Sequence, residues 1–236
     1  MSKPIDLLKK NIKTYGFTLI EIVIATFLLS IIVTTIFGSY RVVFSNVDII
    51  EKGIDYREMG QNCLNRMLAD FNSLYVLMPP LYKPPDFNAE PSPYRFVGEV
   101  SHIGNNNFPK IRFASFAHVP LSEEKKGGIA EIVYYVSEVE DGKYVLRRSD
   151  KLEPFEPFQE KKSDPIICEE IKSFNVKYFG QDGKEQDDWD SETYNFEYTT
   201  PVSVSIKLEI GTDFIPFSIE TIIMLPIYRE KVAKTE

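Results

Sequence analysis

The chain has 236 residues, a formal net charge of −8 and two cysteines. This length is enough for one domain that buries a core without metal or disulfide staples. Two cysteines are too few for a disulfide-rich scaffold. The acidic balance argues against nucleic acid, and against an anionic membrane surface, as partners of the soluble part of the chain.

An apolar run of 21 residues extends from Phe17 to Phe37. At about 1.5 Å per residue, a helix of this length crosses a bilayer core of about 30 Å. The run therefore predicts a membrane-spanning helix over residues 17–37. Residues 1–16 contain four lysines and one aspartate, a net charge of +3, which predicts a cytoplasmic N-terminus. A secretory cleavage site would follow the apolar run, whereas here the small residue at the junction, Gly16, precedes it.

Glu21 is the one ionisable residue of this apolar run. A carboxylate that faces lipid near the bilayer centre costs about 2.5–3.5 kcal/mol, so intramembrane carboxylates usually have a partner. Two interpretations remain open from the residues alone. Glu21 either pairs with a cation among packed helices, or lies at the level of the headgroups and is solvated.

The junction resembles the processing site of type IV prepilins and type II secretion pseudopilins, in the sequence KNIKTYGFTLIEIVIA. The shared features are a short basic leader, a glycine at its last position, and phenylalanine and glutamate at mature positions one and five. The resemblance implies that a prepilin peptidase cuts after Gly16 and methylates the new amine of Phe17. It also implies that Glu21 meets the N-terminal amine of a neighbouring subunit during assembly. Removal of leader 1–16 would leave a net charge of −11.

Residues 38–78 are predicted to continue the helix as an amphipathic periplasmic half. Apolar residues recur there at spacings of three and four, at Tyr40, Val43, Val47, Ile50 and Ile54. We expect this helix to end at Met78, before Pro79 and Pro80. Gly53 and Gly60 predict either a bend or close packing against a strand. The proline-rich stretch from Pro79 to Pro93 is predicted to be a connecting loop, with a partner-binding surface as the alternative.

Residues 79–227 predict a β-rich globular domain. Runs of β-branched and aromatic residues at 111–116, 131–136, 144–148, 171–179, 202–210 and 214–224 predict strands, with turns at Asp141-Gly142 and Gln181-Asp182-Gly183. Because no helix-length segment separates these strands, they are expected to be antiparallel. The predicted fold is α+β, with one long N-terminal helix packed on antiparallel sheets. Residues 228–236 are predicted to form a charged C-terminal tail.

The order of these strands, together with Trp189, resembles the J-type minor pseudopilin of type II secretion systems. The resemblance extends from Gly16 to about Ile227. It departs from the family in a longer proline-rich stretch and at Tyr198-Thr199-Thr200-Pro201, where the family usually has Leu-Pro. It implies a pilin-like fold, a single-pass inner-membrane protein with a cytoplasmic N-terminus and a periplasmic body, and extraction into the pseudopilus on assembly.

By the same resemblance, the partners are the I-, K- and H-type minor pseudopilins and the major pseudopilin, in a filament tip that helps to drive folded proteins through the outer membrane. Two alternatives remain. A minor pilin of a type IV pilus or of a DNA-uptake pilus would share the processing site. A membrane-anchored periplasmic enzyme or binding protein would instead have a ligand pocket with convergent polar groups, and its leader would not be processed.

The sequence contains no recognisable catalytic, cofactor or metal motif, so we expect neither enzyme activity nor a cofactor. His102 and His118 are 16 residues apart and lack the spacing of metal ligands. Neither a phosphate-binding loop nor a nucleophile elbow is present. The acidic run at 182–192 predicts a solvated loop, with a calcium site as the alternative. Trp189, within this run, is predicted to lie in the core or, alternatively, to form an exposed contact.

Cys63 and Cys168 are predicted to be two small buried core residues. The alternative is one disulfide, formed in an oxidising periplasm.

Overall fold

The computed structural model describes residues 16–86, 89–119, 127–140 and 142–232. Leader residues 1–15 and the predicted turn residue Asp141 lie outside the described residues. The chain divides into two compact units after Ile50. One helix, α1 (Leu19–Asn72), contributes residues to both units.

The first unit contains the apolar half of α1. Residues Leu19–Arg41 form 23 residues of helix that are long and apolar enough to cross a membrane, and none of them is buried. This confirms the prediction of an N-terminal apolar helix. The exposed side chains are mostly isoleucine, leucine, valine and phenylalanine, which in water would be costly to leave uncovered.

In the second unit, α1 packs on a sheet through residues spaced three and four apart. Cys63, Met67 and Phe71 are buried, and Gly60 is buried against a strand. A Cβ added to Gly60 would lie 2.7 Å from Cε1 of Phe217. Of the two interpretations of Gly60, the structure therefore supports close packing, and the helix continues through both Gly53 and Gly60.

The predicted end of the helix at Met78 is wrong, because α1 ends at Asn72. Leu74 and Tyr75 instead form a short strand, paired with Ser115 and Ala114. The Ser115 hydroxyl donates to the carbonyl of Asp70 at 2.9 Å and to that of Ser73 at 3.1 Å. Carbonyls at a helix C-terminus lack intrahelical partners, so these bonds favour termination at this point.

The strands of the second unit form one antiparallel sheet rather than several sheets. They are β1 (Leu74–Tyr75), β2 (Val97–Ile103), β3 (Asn106–Ser115), β4 (Ala130–Glu140), β5 (Lys143–Leu152), β6 (Ile166–Phe179), β7 (Glu185–Gln186), β8 (Trp189–Asp190), β9 (Ser203–Gly211) and β10 (Pro216–Met224). The order across the sheet is β10-β9-β6-β5-β4-β3-β2-β8, with β1 on β3 and β7 on β6. The α+β class and the antiparallel pairing are confirmed.

The β2–β3 hairpin was not fully predicted. The expected strand at 111–116 corresponds to the second half of β3, whose first half pairs with β2. Gly104, with φ of 58°, allows the tight turn between Ile103 and Asn106. The polar asparagines and Pro109 concealed this strand pair from an argument based on apolar alternation.

Two patterns of burial distinguish the strands. In β9, Val204, Ile206 and Leu208 are fully buried, whereas the intervening Ser205 and Lys207 are not, as expected for a strand with one core face. In β4, seven consecutive residues from Ala130 are buried. The face of β4 and β5 that carries Tyr135 and Arg147 is covered by residues 153–165, where Phe158 packs on Tyr135 with ring centroids 5.4 Å apart.

Candidate functional site

The predicted cleavage junction lies just before the start of α1. Gly16 and Phe17 are both exposed, and Phe17 is 84% exposed. A Cβ added to Gly16 would have no atom within 4 Å beyond its chain neighbours. Within the described residues, nothing covers the Gly16–Phe17 peptide bond, so its geometry is compatible with access by a peptidase.

Glu21 forms a capping box with Thr18 at the start of α1. The Glu21 carboxylate accepts hydrogen bonds from the Thr18 amide and the Thr18 hydroxyl, each at 2.9 Å, and the Glu21 amide donates to the Thr18 hydroxyl at 3.3 Å. Such reciprocal bonds satisfy amides that a helix N-terminus leaves free. This box was not predicted, although Thr-x-x-Glu before an apolar run is its signature. The two bonds to the carboxylate both use Oε2, and the third uses the Glu21 amide. Oε1 therefore has no partner among the described residues.

Cys63 of α1 and Cys168 of β6 lie next to each other in the core. Their relative exposures are 1% and 0%, and both are free thiols in the structure. The hydrogen bond with Cys168 is the larger cause that raises the pKa of the Cys63 thiol, and burial raises this pKa further. The arrangement matches the interpretation as two buried thiols, and it also brings together the two residues of the alternative disulfide.

The acidic run at 182–192 is largely neutralised by cations. Asp182 pairs with Lys184 at 2.9 Å, and Asp190 with Arg95 at 3.3 Å. Further pairs join Glu185 and Asp187 to Lys177, and Glu192 to Arg229. In the part of the chain that the structure describes, no three His, Cys, Asp or Glu side chains group as metal ligands. The predicted interpretations were a solvated loop or a calcium site, and the structure shows instead that most of these carboxylates are ion-paired.

Trp189 is a core residue, as predicted. It is 4% exposed and stacks on Phe196, with ring centroids 4.7 Å apart. Its indole nitrogen donates to the carbonyl of Thr199 at 3.0 Å. The core position and the satisfied donor give Trp189 a packing role.

The two histidines are placed apart, with separate partners. His102 contacts the Asn107 side chain, opposite it in the β2–β3 hairpin. His118 Nδ1 lies 2.6 Å from Asp150 Oδ1. Neither histidine has the set of ligands that a metal centre needs.

A buried ion cluster that the sequence did not reveal fixes the end of α1 to the sheet. Asp70 is fully buried, and its carboxylate accepts from Arg66, from Tyr134 and from Arg148, whose Nε lies 2.6 Å from Oδ2. Arg148 also binds Asp150 at 2.6 Å. Strand alternation places Arg148 on the same face as the buried Leu146, and this signal could have identified Arg148 as a core cation.

The predicted start of the charged tail at residue 228 is corrected, because the next residue, Arg229, is buried in the body. Arg229 is 2% exposed and stacks 3.3 Å above the ring centroid of Tyr82. Its guanidinium binds the Glu192 carboxylate at 2.9 Å, and it donates to the carbonyls of Leu77, Ser191 and Tyr198. A buried arginine with these partners anchors the chain end, because its charge is paired and its donors are used.

Two comparisons with known proteins were without a match. No protein-family model matches the chain, and a search of curated proteins gives no significant match. Function is therefore inferred from the residues and contacts of this chain.

Proposed function

We propose that this chain is a J-type minor pseudopilin of a type II secretion system, a structural subunit of the periplasmic pseudopilus tip. One observation carries the prepilin-like part of the proposal: a basic leader, the Gly16-Phe17 junction and Glu21 coincide at the start of an exposed apolar helix of spanning length. Each feature is common alone. Their coincidence at these spacings is what the resemblance to prepilin processing sites depends on. The choice of the J type depends on the resemblance in strand order and in Trp189.

The exposed junction supports a role for the prepilin peptidase as the first partner. In this proposal the peptidase cuts after Gly16 and methylates the amine of Phe17. The lysines of the leader stay in the cytoplasm, the apolar helix spans the inner membrane, and the body lies in the periplasm until assembly. The chain carries out no catalysis, needs no cofactor and binds no nucleic acid.

The geometry of Glu21 supports a role in assembly. The Thr18 bonds reduce the cost of a carboxylate in the apolar segment, yet they leave Oε1 without a partner among the described residues. A cation on a neighbouring subunit can therefore bind Oε1 without breaking the capping box. In the proposal this cation is the amine of Phe17 of the next subunit.

The body supports a pilin-like architecture. The second half of α1 packs through Met67 and Phe71 on a single antiparallel sheet. In the proposal the body contacts the I-, K- and H-type minor pseudopilins and the major pseudopilin. The tip complex that they form then pushes folded substrates through the outer-membrane pore.

Gly16→Leu tests the processing step. We expect the precursor to remain uncut, because the peptidase requires the small residue before the scissile bond. Gly38→Leu is the matched control, since Gly38 lies in the helix that follows the junction and, like Gly16, has no atom within 4 Å of an added Cβ; this variant should be cut normally. The measurement is the mass of the membrane-bound product. A mature-sized Gly16→Leu product would rule out this cleavage site.

Glu21→Leu and Thr18→Val together test the assembly step. Glu21→Leu should insert and be cut, but should enter pseudopili poorly. Thr18→Val keeps the carboxylate and loses only the capping hydroxyl, so it should assemble nearly as well as wild type. Crosslinked filament yield and secretion are the readouts. Unchanged assembly of Glu21→Leu would contradict the pairing role. Equal defects in both variants would show that Glu21 acts only by capping the helix.

A further inference from the structure

A cavity of about 380 Å³ lies on the face of β4 and β5 that residues 153–165 cover. Tyr135, Ser137 and Arg147 from the two strands line it, together with Lys161 and Lys162 from the covering segment. Tyr135 and Arg147 are directly paired across the two strands. None of these residues has a role in the processing junction or in the contacts of α1.

Arg147 is buried, with 7% of its surface exposed. Its Nε donates to the Ser137 hydroxyl at 2.8 Å, and its Nη1 donates to the main-chain carbonyls of Lys162 at 3.1 Å and Asp164 at 2.6 Å. A guanidinium has five N–H donors, so these bonds leave the two donors of Nη2. Nη2 has no acceptor among the described residues, and it is not among the buried atoms sealed from solvent.

Among the described residues, no carboxylate accepts a hydrogen bond from Arg147, because the nearby Asp164 carboxylate accepts from the Tyr135 hydroxyl at 2.9 Å instead. The next residue, Arg148, binds Asp70 and Asp150, each at 2.6 Å. In the part of the chain that the structure describes, Arg147 has neutral acceptors only. Burying the two N–H donors of Nη2 without an acceptor is costly. The site therefore lacks an acceptor for Nη2.

We propose that this cavity binds a carboxylate, held by Nη2 of Arg147 and drawn in by Lys161 and Lys162. Glu138 and Glu160 also line the cavity, and the Asp164 carboxylate lies next to it on the Tyr135 hydroxyl. These three carboxylates repel a singly charged ligand less than phosphate, which carries more negative charge at neutral pH. The planar Nη2 group presents two N–H donors, a geometry that suits a carboxylate.

The carboxylate can come from two sources with the same chemistry. It is either a free small carboxylate or the C-terminal carboxylate of a peptide. Because the cavity is open to solvent beside exposed Lys161 and Lys162, both sources can reach Nη2 without unfolding the covering segment.

Titration of the full-length chain in detergent micelles tests the proposal, with the Arg147 side-chain NMR signals as the readout. The probes are N-acetyl-Ala-Ala, its C-terminal amide, sodium acetate and inorganic phosphate, at constant ionic strength. We expect saturable shifts with the carboxylate dipeptide and none with the amide. Saturation by acetate as well identifies a free carboxylate, and saturation by the dipeptide alone identifies a peptide terminus. Equal binding of the amide, tighter binding of phosphate, or no saturation by either carboxylate would overturn the proposal.

Charge variants make the test independent of folding. Lys162→Ala should weaken binding about threefold and Glu160→Gln should tighten it about twofold, since both side chains are exposed and screened. Arg147 contacts only the main chain of Lys162, so Lys162→Ala keeps that bond. Lys83→Ala, an exposed lysine outside the cavity, is the control and should leave affinity unchanged. Shifts of the same sign in Lys162→Ala and Glu160→Gln, or no shift in either, would contradict the assignment.

Discussion

At the scale of single residues, Tyr178 and Gly98 depend on each other. Tyr178 is fully buried, and its hydroxyl oxygen would lie 2.0 Å from a Cβ at Gly98. The absence of a side chain at Gly98 is what lets the phenol ring fit. The Tyr178 hydroxyl has no hydrogen-bond partner among the described residues, and burying such a group without a bond costs about 1–3 kcal/mol.

Tyr178→Phe should therefore keep the free energy of unfolding or raise it by about 1 kcal/mol, because it removes a buried hydroxyl that makes no bond. Gly98→Ala should lower it by about 1–3 kcal/mol, since the added methyl overlaps the ring. Guanidinium unfolding of both variants measures the difference. A loss above 1 kcal/mol in Tyr178→Phe would show that the hydroxyl has a partner, such as a buried water.

Asp150 couples stability to pH. Burial alone would raise its pKa, but hydrogen bonds from His118, the Val119 amide and Arg148 outweigh burial and hold the pKa below the usual value. A carboxyl group with a lowered folded-state pKa stabilises the fold above its unfolded pKa of about 3.9. This contribution is lost as pH falls through the folded-state pKa.

Asp150→Asn should therefore be less stable than wild type at pH 7, and the difference should shrink as pH falls from about 4 through the folded-state pKa. Denaturant unfolding from pH 7 to pH 2 measures both curves. Asp86→Asn is the control, because Asp86 is exposed and has no ion pair among the described residues. Parallel curves for wild type and Asp150→Asn would contradict the coupling.

At the scale of elements, the end of α1 and the C-terminal segment are each fixed by side chains that are distant in sequence and that the local sequence pattern does not predict. The 3–4 spacing of apolar residues correctly predicted a helix, because an amphipathic stripe depends only on sequence near in the chain. The end of α1 depends instead on Ser115, which is 43 residues from Asn72 and whose hydroxyl donates to the carbonyl of Asp70 in the last turn of the helix. The burial of Arg229 likewise depends on Glu192 and Tyr82, both distant in sequence.

Shortening the chain tests the element that contains Arg229. A chain that ends after Ile227 should lose about 3–5 kcal/mol of stability, because Glu192 would be left buried without its cation. A chain that ends after Val232 keeps Arg229 and should unfold at the wild-type denaturant concentration. Equal midpoints for the two shortened chains would restore the predicted start of the charged tail at residue 228.

The two cysteines report on the contact between α1 and β6. Because Cys63 and Cys168 are buried between these elements, a maleimide should label them only after α1 separates from the sheet or the body unfolds. The measurement is labelling with time in native buffer and in denaturant. Rapid labelling of the native chain would place a thiol at the surface. No labelling of the unfolded chain without reductant would reveal a disulfide.

At the scale of the whole molecule, the sequence predicted the α+β class, the apolar helix and most strand positions, because each of these depends on local periodicity. It did not predict how the strands assemble. The β2–β3 hairpin is rich in asparagine, and the merging of all strands into one sheet depends on long-range pairing such as Ile171 with Ile210. At the candidate site, Glu21 was identified as the one charge of the apolar run and Gly16 as the small residue before it, and the resemblance added the roles of Gly16, Phe17 and Glu21. Thr18 was overlooked, although its capping bonds to Glu21 have a sequence signature.

If the chain is a J-type minor pseudopilin, the processed full-length protein should co-purify in detergent with I- and K-type minor pseudopilins from a secretion system. The reason is that tip subunits form a stable complex through surfaces outside the processing site. The Gly16→Leu precursor, expressed at the same level, is the comparison and should co-purify equally well, because those surfaces are unchanged. Binding to type IV minor pilins, and not to these partners, would assign the chain to a pilus.

The contacts of Arg229 also set an order on folding. All hydrogen-bond partners of its side chain precede it in the chain: Leu77, Ser191, Glu192 and Tyr198. The strands are therefore synthesised before Arg229, and Glu192 lacks its counter-charge until Arg229 is made. Domains that fold during synthesis form first the contacts whose partners are already made. The last packing step of this body therefore cannot precede synthesis of residue 229, and a chain that ends before this residue should remain more open to proteases than the full chain.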